Sequence, residues 1–254
     1  MKKIMGVLGV VFCLMLAGCA SQKQDTIEKR NTDISKDLTY DHSMELEYAK
    51  MFAVDYYQND YALVTIADDG KYLIVPEGES VPEDMDKDIT VLQQPIQNIY
   101  LAASAAMDMF VATDALDAVR FSSLKADGWY IEEAKKAMED GDIIYAGKYS
   151  APDYEMILNE NCGLAIENTM ILHTPEVKEQ MEKFNIPVLV DHSSYETNPL
   201  GRTEWVKLYG LLTGHEDQAE QAFDAEAKAF EQVIDRKSTR LNSVTRRSRM
   251  PSSA

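Results

Sequence analysis

Residues 164–190 read LAIENTMILHTPEVKEQMEKFNIPVLV, and this stretch decides the fold. Leu164 to Ile166 and Pro187 to Val190 are apolar runs of strand length. Between them Val177, Met181 and Phe184 keep the three-to-four-residue spacing of one helix face. A strand, a helix and a second strand in that order predict parallel strands joined by a right-handed crossover. The same alternation recurs toward the N-terminus. Ile89 to Leu92, Ala118 to Phe121 and Ile143 to Ala146 are further strand candidates, and Ile99, Ala103, Ala106 and Phe110 are spaced as a helix face. The expected class is α/β, a mainly parallel sheet flanked by helices. In such a sheet a ligand lies outside the carboxyl ends of the strands.

Other elements frame this core. Tyr61 to Ile66 and Tyr72 to Val75 flank Asp68-Asp69-Gly70, which predicts an N-terminal antiparallel β-hairpin because an Asp-Gly pair tolerates positive φ. Leu46, Ala49, Met51, Phe52 and Val54 suggest a short amphipathic element over Glu45 to Val54. Beyond Val190 the pattern turns helical. Trp205, Leu208, Tyr209 and Leu212 form one stripe, Gly214 breaks it, and Ala219, Ala222, Phe223, Ala229, Phe230 and Val233 form another on a long helix.

The chain has 254 residues, 45% of them hydrophobic, and a net charge of -18, so it supports a substantial core and is a poor partner for nucleic acid. Of its cysteines, Cys13 and Cys19 lie near the start, which leaves Cys162 alone and allows no disulfide framework in the body. Acidic neighbours would raise the Cys162 thiol pKa, so it reads as a buried spacer and not a nucleophile. His42, His173, His192 and His215 show no local zinc spacing, although a site assembled from distant loops, such as His192 with Glu204, stays open. No phosphate-cradling glycine loop and no nucleophile elbow occurs.

Both ends read as separate from the fold. Lys2 and Lys3 precede an apolar run from Ile4 to Leu16 that closes on Leu16-Ala17-Gly18-Cys19, predicting a secretory signal over 1–18. The last four residues resemble the bacterial lipobox, which implies lipid on Cys19, followed by a flexible tether over 19–43. Asp235 to Ala254 holds six basic residues and one acidic residue after a strongly acidic body. Its wording resembles translated sequencing-adapter sequence, so 235–254 is expected to be a non-native disordered tail; a genuine basic tail with an acidic partner is the other reading.

The order of several motifs resembles the first lobe of ABC-transporter substrate-binding proteins for iron-siderophores and cobalamin. These are Ile89-Thr-Val-Leu-Gln-Gln-Pro95 before a helix, Leu116-Asp-Ala-Val-Arg-Phe-Ser-Ser123, and Gly147-Lys-Tyr-Ser-Ala-Pro-Asp-Tyr-Glu-Met-Ile-Leu158. Glu179 to Val190 and Asn198-Pro-Leu-Gly-Arg-Thr-Glu-Trp-Val-Lys207 continue the likeness, which covers about residues 45–233. It implies a Rossmann-like ligand-binding lobe over 44–214, the start of an interlobe backbone helix over 215–234, and a second lobe missing from this chain. It also implies a ligand wall of Gln94, Phe121, Ser122, Tyr149, Asn168, His192 and Tyr195, with Arg202 as an anion contact and Glu155 docking to a permease. The implied protein is a monomeric, lipid-anchored extracytoplasmic receptor without cofactor or catalysis. It would hand a ferric chelate, haem or corrinoid to an ABC permease and its ATPase. Two other readings stay open: a zinc or manganese receptor of related architecture, and a metal- or nucleotide-using enzyme on a Rossmann-like sheet.

Overall fold

The computed structural model describes residues 33–247, with side chains through residue 234. The signal segment, Cys19 and the first part of the tether lie outside the described residues, as does the chain from 248 onward.

The chain first builds a five-stranded sheet from β1 (Tyr40–Ser43), β2 (Phe52–Tyr57), β3 (Ala62–Ile66), β4 (Gly70–Val75) and β5 (Ile89–Gln93). The strands lie in chain order, antiparallel except for the parallel pair β4 and β5. The expected hairpin is β3 and β4, with Asp68 at φ 59° in its turn. Its turn reaches across the fold. Asp69 accepts from Lys178 Nζ at 2.6 Å, from Val190 N at 3.0 Å, and from the Tyr72 hydroxyl. Ile34 and Leu38 are buried on the outer face of this sheet beside Leu63, Leu73 and Val75. The expected tether is therefore corrected over 33–43: apolar side chains pin that segment, and β1 pairs with β2.

The amphipathic element expected over Glu45 to Val54 is not one element. Residues 47–51 run as a strap whose backbone N–H groups bond to two buried carboxylates, Glu204 and Glu196, and only from Phe52 does the chain enter β2.

A second five-stranded sheet follows. Its strands are β6 (Ile99–Leu101), β7 (Val119–Ser122), β8 (Ile144–Tyr145), β11 (Ala165–Asn168) and β12 (Val188–Asp191). Between β8 and β11 a two-residue ribbon, β9 (Gly147–Lys148) and β10 (Ala151–Pro152), turns at Tyr149. The order is β12-β11-β6-β7-β8 and every pairing is parallel, as the alternating pattern predicts. The helices are α1 (Met107–Ala112), α2 (Glu132–Asp140), α3 (Tyr154–Asn159), α4 (Pro175–Lys183), α5 (Pro199–Glu204), α6 (Val206–Thr213) and α7 (Glu216–Arg247).

The helix expected from Ile99 to Phe110 is corrected at its start. Ile99 to Leu101 form the central strand, and α1 begins only at Met107. Ile99 and Leu101 face the core shared with the first sheet, while Tyr100 and Ala102 face the opposite cluster. A strand buried on both faces is apolar throughout, so helical spacing can be picked out of it by coincidence.

The first face of this sheet packs on α1, α6 and the inner side of the first sheet, with Phe110, Trp205 and Tyr209 at the centre. The second face is covered by α3 and α4 through Ile157, Val177 and Met181. On α7, Ala219 and Phe223 bury against Val206, whereas Phe230, Val233 and Ile234 are exposed. This helix continues through Arg247, so residues 235–247 are helical where the composition predicted disorder.

Candidate functional site

The strand order defines where a ligand fits. From β6 the chain moves outward through β7 and β8, then returns to the other side of β6 for β11 and β12. The β6/β11 junction is the point at which the order reverses, and loops leave it in opposite directions to open a crevice at the carboxyl edge.

A cavity of about 400 Å³ lies there. Its wall combines Ala102 and Ser104 after β6, Ser123 and Lys125 after β7, Tyr145 of β8, Lys148 and Tyr149 of the ribbon, and Asn168 at the end of β11. That volume falls within the range of small-molecule sites. Lys125 Nζ sits 5.4 Å from the centre of the Tyr145 ring, a cation held over an aromatic face. Asn168 ties the two sides of the crevice together: its Nδ2 donates to Ala102 O at 3.0 Å, and its Oδ1 accepts from Met170 N at 2.9 Å. The ribbon is anchored by the Tyr100 hydroxyl, which donates to Gly147 O at 3.1 Å. Gly147 has φ 86°, and a Cβ there would lie 2.9 Å from Asp153 N. The turn that presents Lys148 and Tyr149 thus depends on glycine.

Of the residues expected on the ligand wall, Tyr149 and Asn168 line this cavity. The others are placed elsewhere. Phe121 is fully buried in the second-face cluster because alternation along β7 points it into the sheet packing. Ser122 is also buried, its hydroxyl taken by Leu124 and by Trp129 Nε1 at 3.2 Å. Gln94 follows β5 in the first sheet, donates to Leu211 O at 3.1 Å, and borders a separate cavity of about 270 Å³ with Glu77, Asp117 and His215. His192 is buried after β12 with the Tyr195 ring 5.6 Å away. Burial lowers its imidazole pKa, against the opposing pull of Asp69, Asp68 and Asp191. Tyr195 is half exposed and does not line the cavity. Arg202 donates to Ser194 O at 3.0 Å and Glu196 O at 3.3 Å beside an apolar groove between α1, α5 and α7. Glu155 is exposed in the first turn of α3, where Asp153 caps the helix by accepting from Met156 N at 3.1 Å.

Sequence reasoning missed Lys125, Lys148 and Tyr145. The signal available for them was position alone, each lying within or just after a strand of the parallel sheet. Glu204 is engaged by the backbone N–H groups of residues 47–49, and among the described residues no group of three or more His, Cys, Asp or Glu side chains is placed to hold a metal ion. Burial pushes the Cys162 thiol up to about 11, consistent with a spacer.

Fold and cavity together define an open-sheet α/β lobe with a ligand-sized crevice at its switch point. No family model matches the chain. Uncharacterized lipoprotein MJ0878 of Methanocaldococcus jannaschii is 24% identical over 88% of this chain and 60% of its own length. Uncharacterized lipoprotein MJ0872 of the same organism is 21% identical over 91% and 59%. The chain thus spans about 60% of the length of the curated relatives it matches. Among solved structures, holo-ViuP is similar with a TM-score of 0.43 and 22% identity, over 56% of this chain and 46% of that one. Staphylococcus aureus SirA complexed with staphyloferrin B is similar with a TM-score of 0.39 and 19% identity, over the same shares of 56% and 46%. Among the described residues no helix is long and apolar enough to cross a membrane.

Proposed function

We propose that this chain is part of an extracytoplasmic substrate-binding lipoprotein that captures a small chelate of the iron-siderophore, haem or cobalamin type for an ABC importer, without catalysing a reaction. The observation that carries this reading is the switch-point cavity, with two lysines and two tyrosines on its wall in a chain of net charge -18. Cations in so acidic a protein, gathered with aromatic area, suit an anionic chelate with a planar or aromatic body. The motif order described above and the lipoprotein names of the curated relatives support the same reading. The test is titration of the intact receptor of which this chain is proposed to be part with ferric catecholate and carboxylate chelates, haem and corrinoids, followed by tyrosine fluorescence. Failure of all of them to bind overturns it.

Two expected outcomes extend the proposal. Cys19→Ala should release the protein from the membrane fraction, since each buried acyl methylene contributes about 0.8 kcal/mol to anchoring; a mutant that stays membrane-bound would contradict lipidation at Cys19. Glu155→Ala, in cells that import the ligand, should lower uptake severalfold while leaving ligand affinity unchanged. An exposed carboxylate steers docking and touches nothing in the cavity. Loss of ligand binding in that variant would refute the docking role.

A further inference from the structure

Glu167 lies on β11, one residue before the cavity-lining Asn168. It is fully buried, and among the described residues neither carboxylate oxygen has a hydrogen-bond partner. Native proteins rarely leave a buried carboxyl unpaired, so this one calls for an explanation. Alternation along β11 sends Glu167 to the face of Ala165, where Tyr100, Ala102, Ala146, Ile157 and Val190 form an apolar cluster. In register it stands beside Val190 of β12. The segment 146–154 closes over this face. The Tyr100 hydroxyl holds Gly147 O, Asp153 N donates to Ala146 O at 2.8 Å, and Tyr149 and Tyr154 pack against the cluster.

The ionisable groups that feel its charge are Tyr100 on β6 and Tyr154 on α3; Tyr145 of β8 and Cys162 before β11 lie around Tyr100, and Glu176 of α4 lies near Tyr154. From the ribbon, Tyr149 packs against the same cluster, while Lys148 is exposed on the cavity wall. Among the described residues none forms an ion pair with Glu167. Burial alone pushes its carboxyl up to about 8.

We propose that Glu167 is a proton-operated latch for the ribbon of residues 147–152. Neutral, it lets the ribbon seat on the sheet and hold Lys148 and Tyr149 at the cavity wall. Ionised, it is an unpaired charge in an apolar cluster, and the least costly escape is to lift the ribbon and admit water. The folded state binds this proton more tightly than an open or unfolded one. Closure is therefore fully favoured below the ordinary carboxyl pKa and weakens as pH rises through about 8. That the latch gates ligand uptake rests on the function proposed above; the seating of the ribbon does not.

Hydrogen exchange read by mass spectrometry on the full chain tests it. After correction for intrinsic rates, protection of peptides spanning 147–152 should fall at least tenfold between pH 6 and pH 9 in the wild type. It should stay flat in Glu167→Gln, which keeps the shape and never ionises. Peptides over β3 serve as the control and should not change. Equal losses in both proteins, or constant protection in the wild type, would overturn the latch. Should Glu167→Gln fail to fold, the carboxyl carbon of Glu167 can be titrated by NMR in the wild type. A midpoint above about 6.5 supports the proposal, and one at or below that value overturns it. Absence of chelate binding would remove the functional reading while leaving these exchange results intact.

Discussion

Glu204→Ala is expected to destabilise the protein by about 3 to 5 kcal/mol, the largest loss foreseen for a single side chain. Glu204 is fully buried at the end of α5 and accepts from Glu47 N at 2.8 Å, Tyr48 N at 2.8 Å and Ala49 N at 2.7 Å. Glu196 continues the series, accepting from Lys50 N and Met51 N, both at 2.9 Å, and from Trp205 Nε1 at 3.1 Å. Consecutive N–H groups that a strand or helix would normally satisfy are thus satisfied by two carboxylates. Removing Glu204 leaves the partly buried N–H groups of Glu47 and Tyr48 to water and strands the buried Ala49 N–H, a donor that costs about 1 to 3 kcal/mol without a partner, on top of the loss of the buried ion pair. It also takes away the anion 3.6 Å from Lys207 Nζ, which would keep the exposed Glu220 at 3.1 Å, Glu45 O at 3.3 Å and the face of the Phe223 ring. Glu204→Gln should lose less, because the amide keeps one accepting oxygen but turns its NH₂ toward other donors. Urea unfolding reads the effect as a lower midpoint with an unchanged slope. A midpoint within error of the wild type would mean that the strap does not depend on this clasp.

The second large effect concerns the cavity. Lys125→Ala combined with Lys148→Ala should weaken binding of an anionic ferric chelate about 100-fold at low salt, each tenfold step corresponding to about 1.4 kcal/mol. These are the two cationic side chains on the wall, and Asp127 is the carboxylate that opposes them. Both lysines are exposed, so the wild-type affinity should fall with added salt and the double variant should be much less sensitive to it. A neutral corrinoid should bind both proteins to within a few-fold, since aromatic contact with Tyr145 and Tyr149 is kept. Equal weakening of charged and neutral ligands would point to a collapsed ribbon and not to lost charge. Unchanged binding of the anionic chelate would move the site away from this cavity.

Much of the architecture is legible in the chain itself. Five apolar runs, Ile89 to Leu92, Ala118 to Phe121, Ile143 to Ala146, Leu164 to Ile166 and Pro187 to Val190, all contain strands, and the hairpin at Asp68-Asp69-Gly70 forms as its turn chemistry requires. What misled was β6. Its run Ile99-Tyr100-Leu101 carries no alternation because both of its faces are buried, and the alanines that follow mimic a helix stripe. The site was legible only as a place, the carboxyl edge. Tyr149 and Asn168 lie there, but Phe121 and Ser122 sit one step too early on β7 and point into packing.

Periodicity and turn chemistry act over a few residues, so the sequence by itself determined the α/β class, the parallel crossovers and the edge at which a ligand fits. Which lysines reach the cavity, and which carboxylates are buried to hold a strap some 155 positions away in the chain, was decided only when the sheets and helices packed. Burial and hydrogen-bond partnership are properties of long-range contact. A glutamate that closes a clasp at 204, one that stays unpaired at 167, and one that remains in solvent at 155 are therefore the same letter until the tertiary structure sets the surroundings of each.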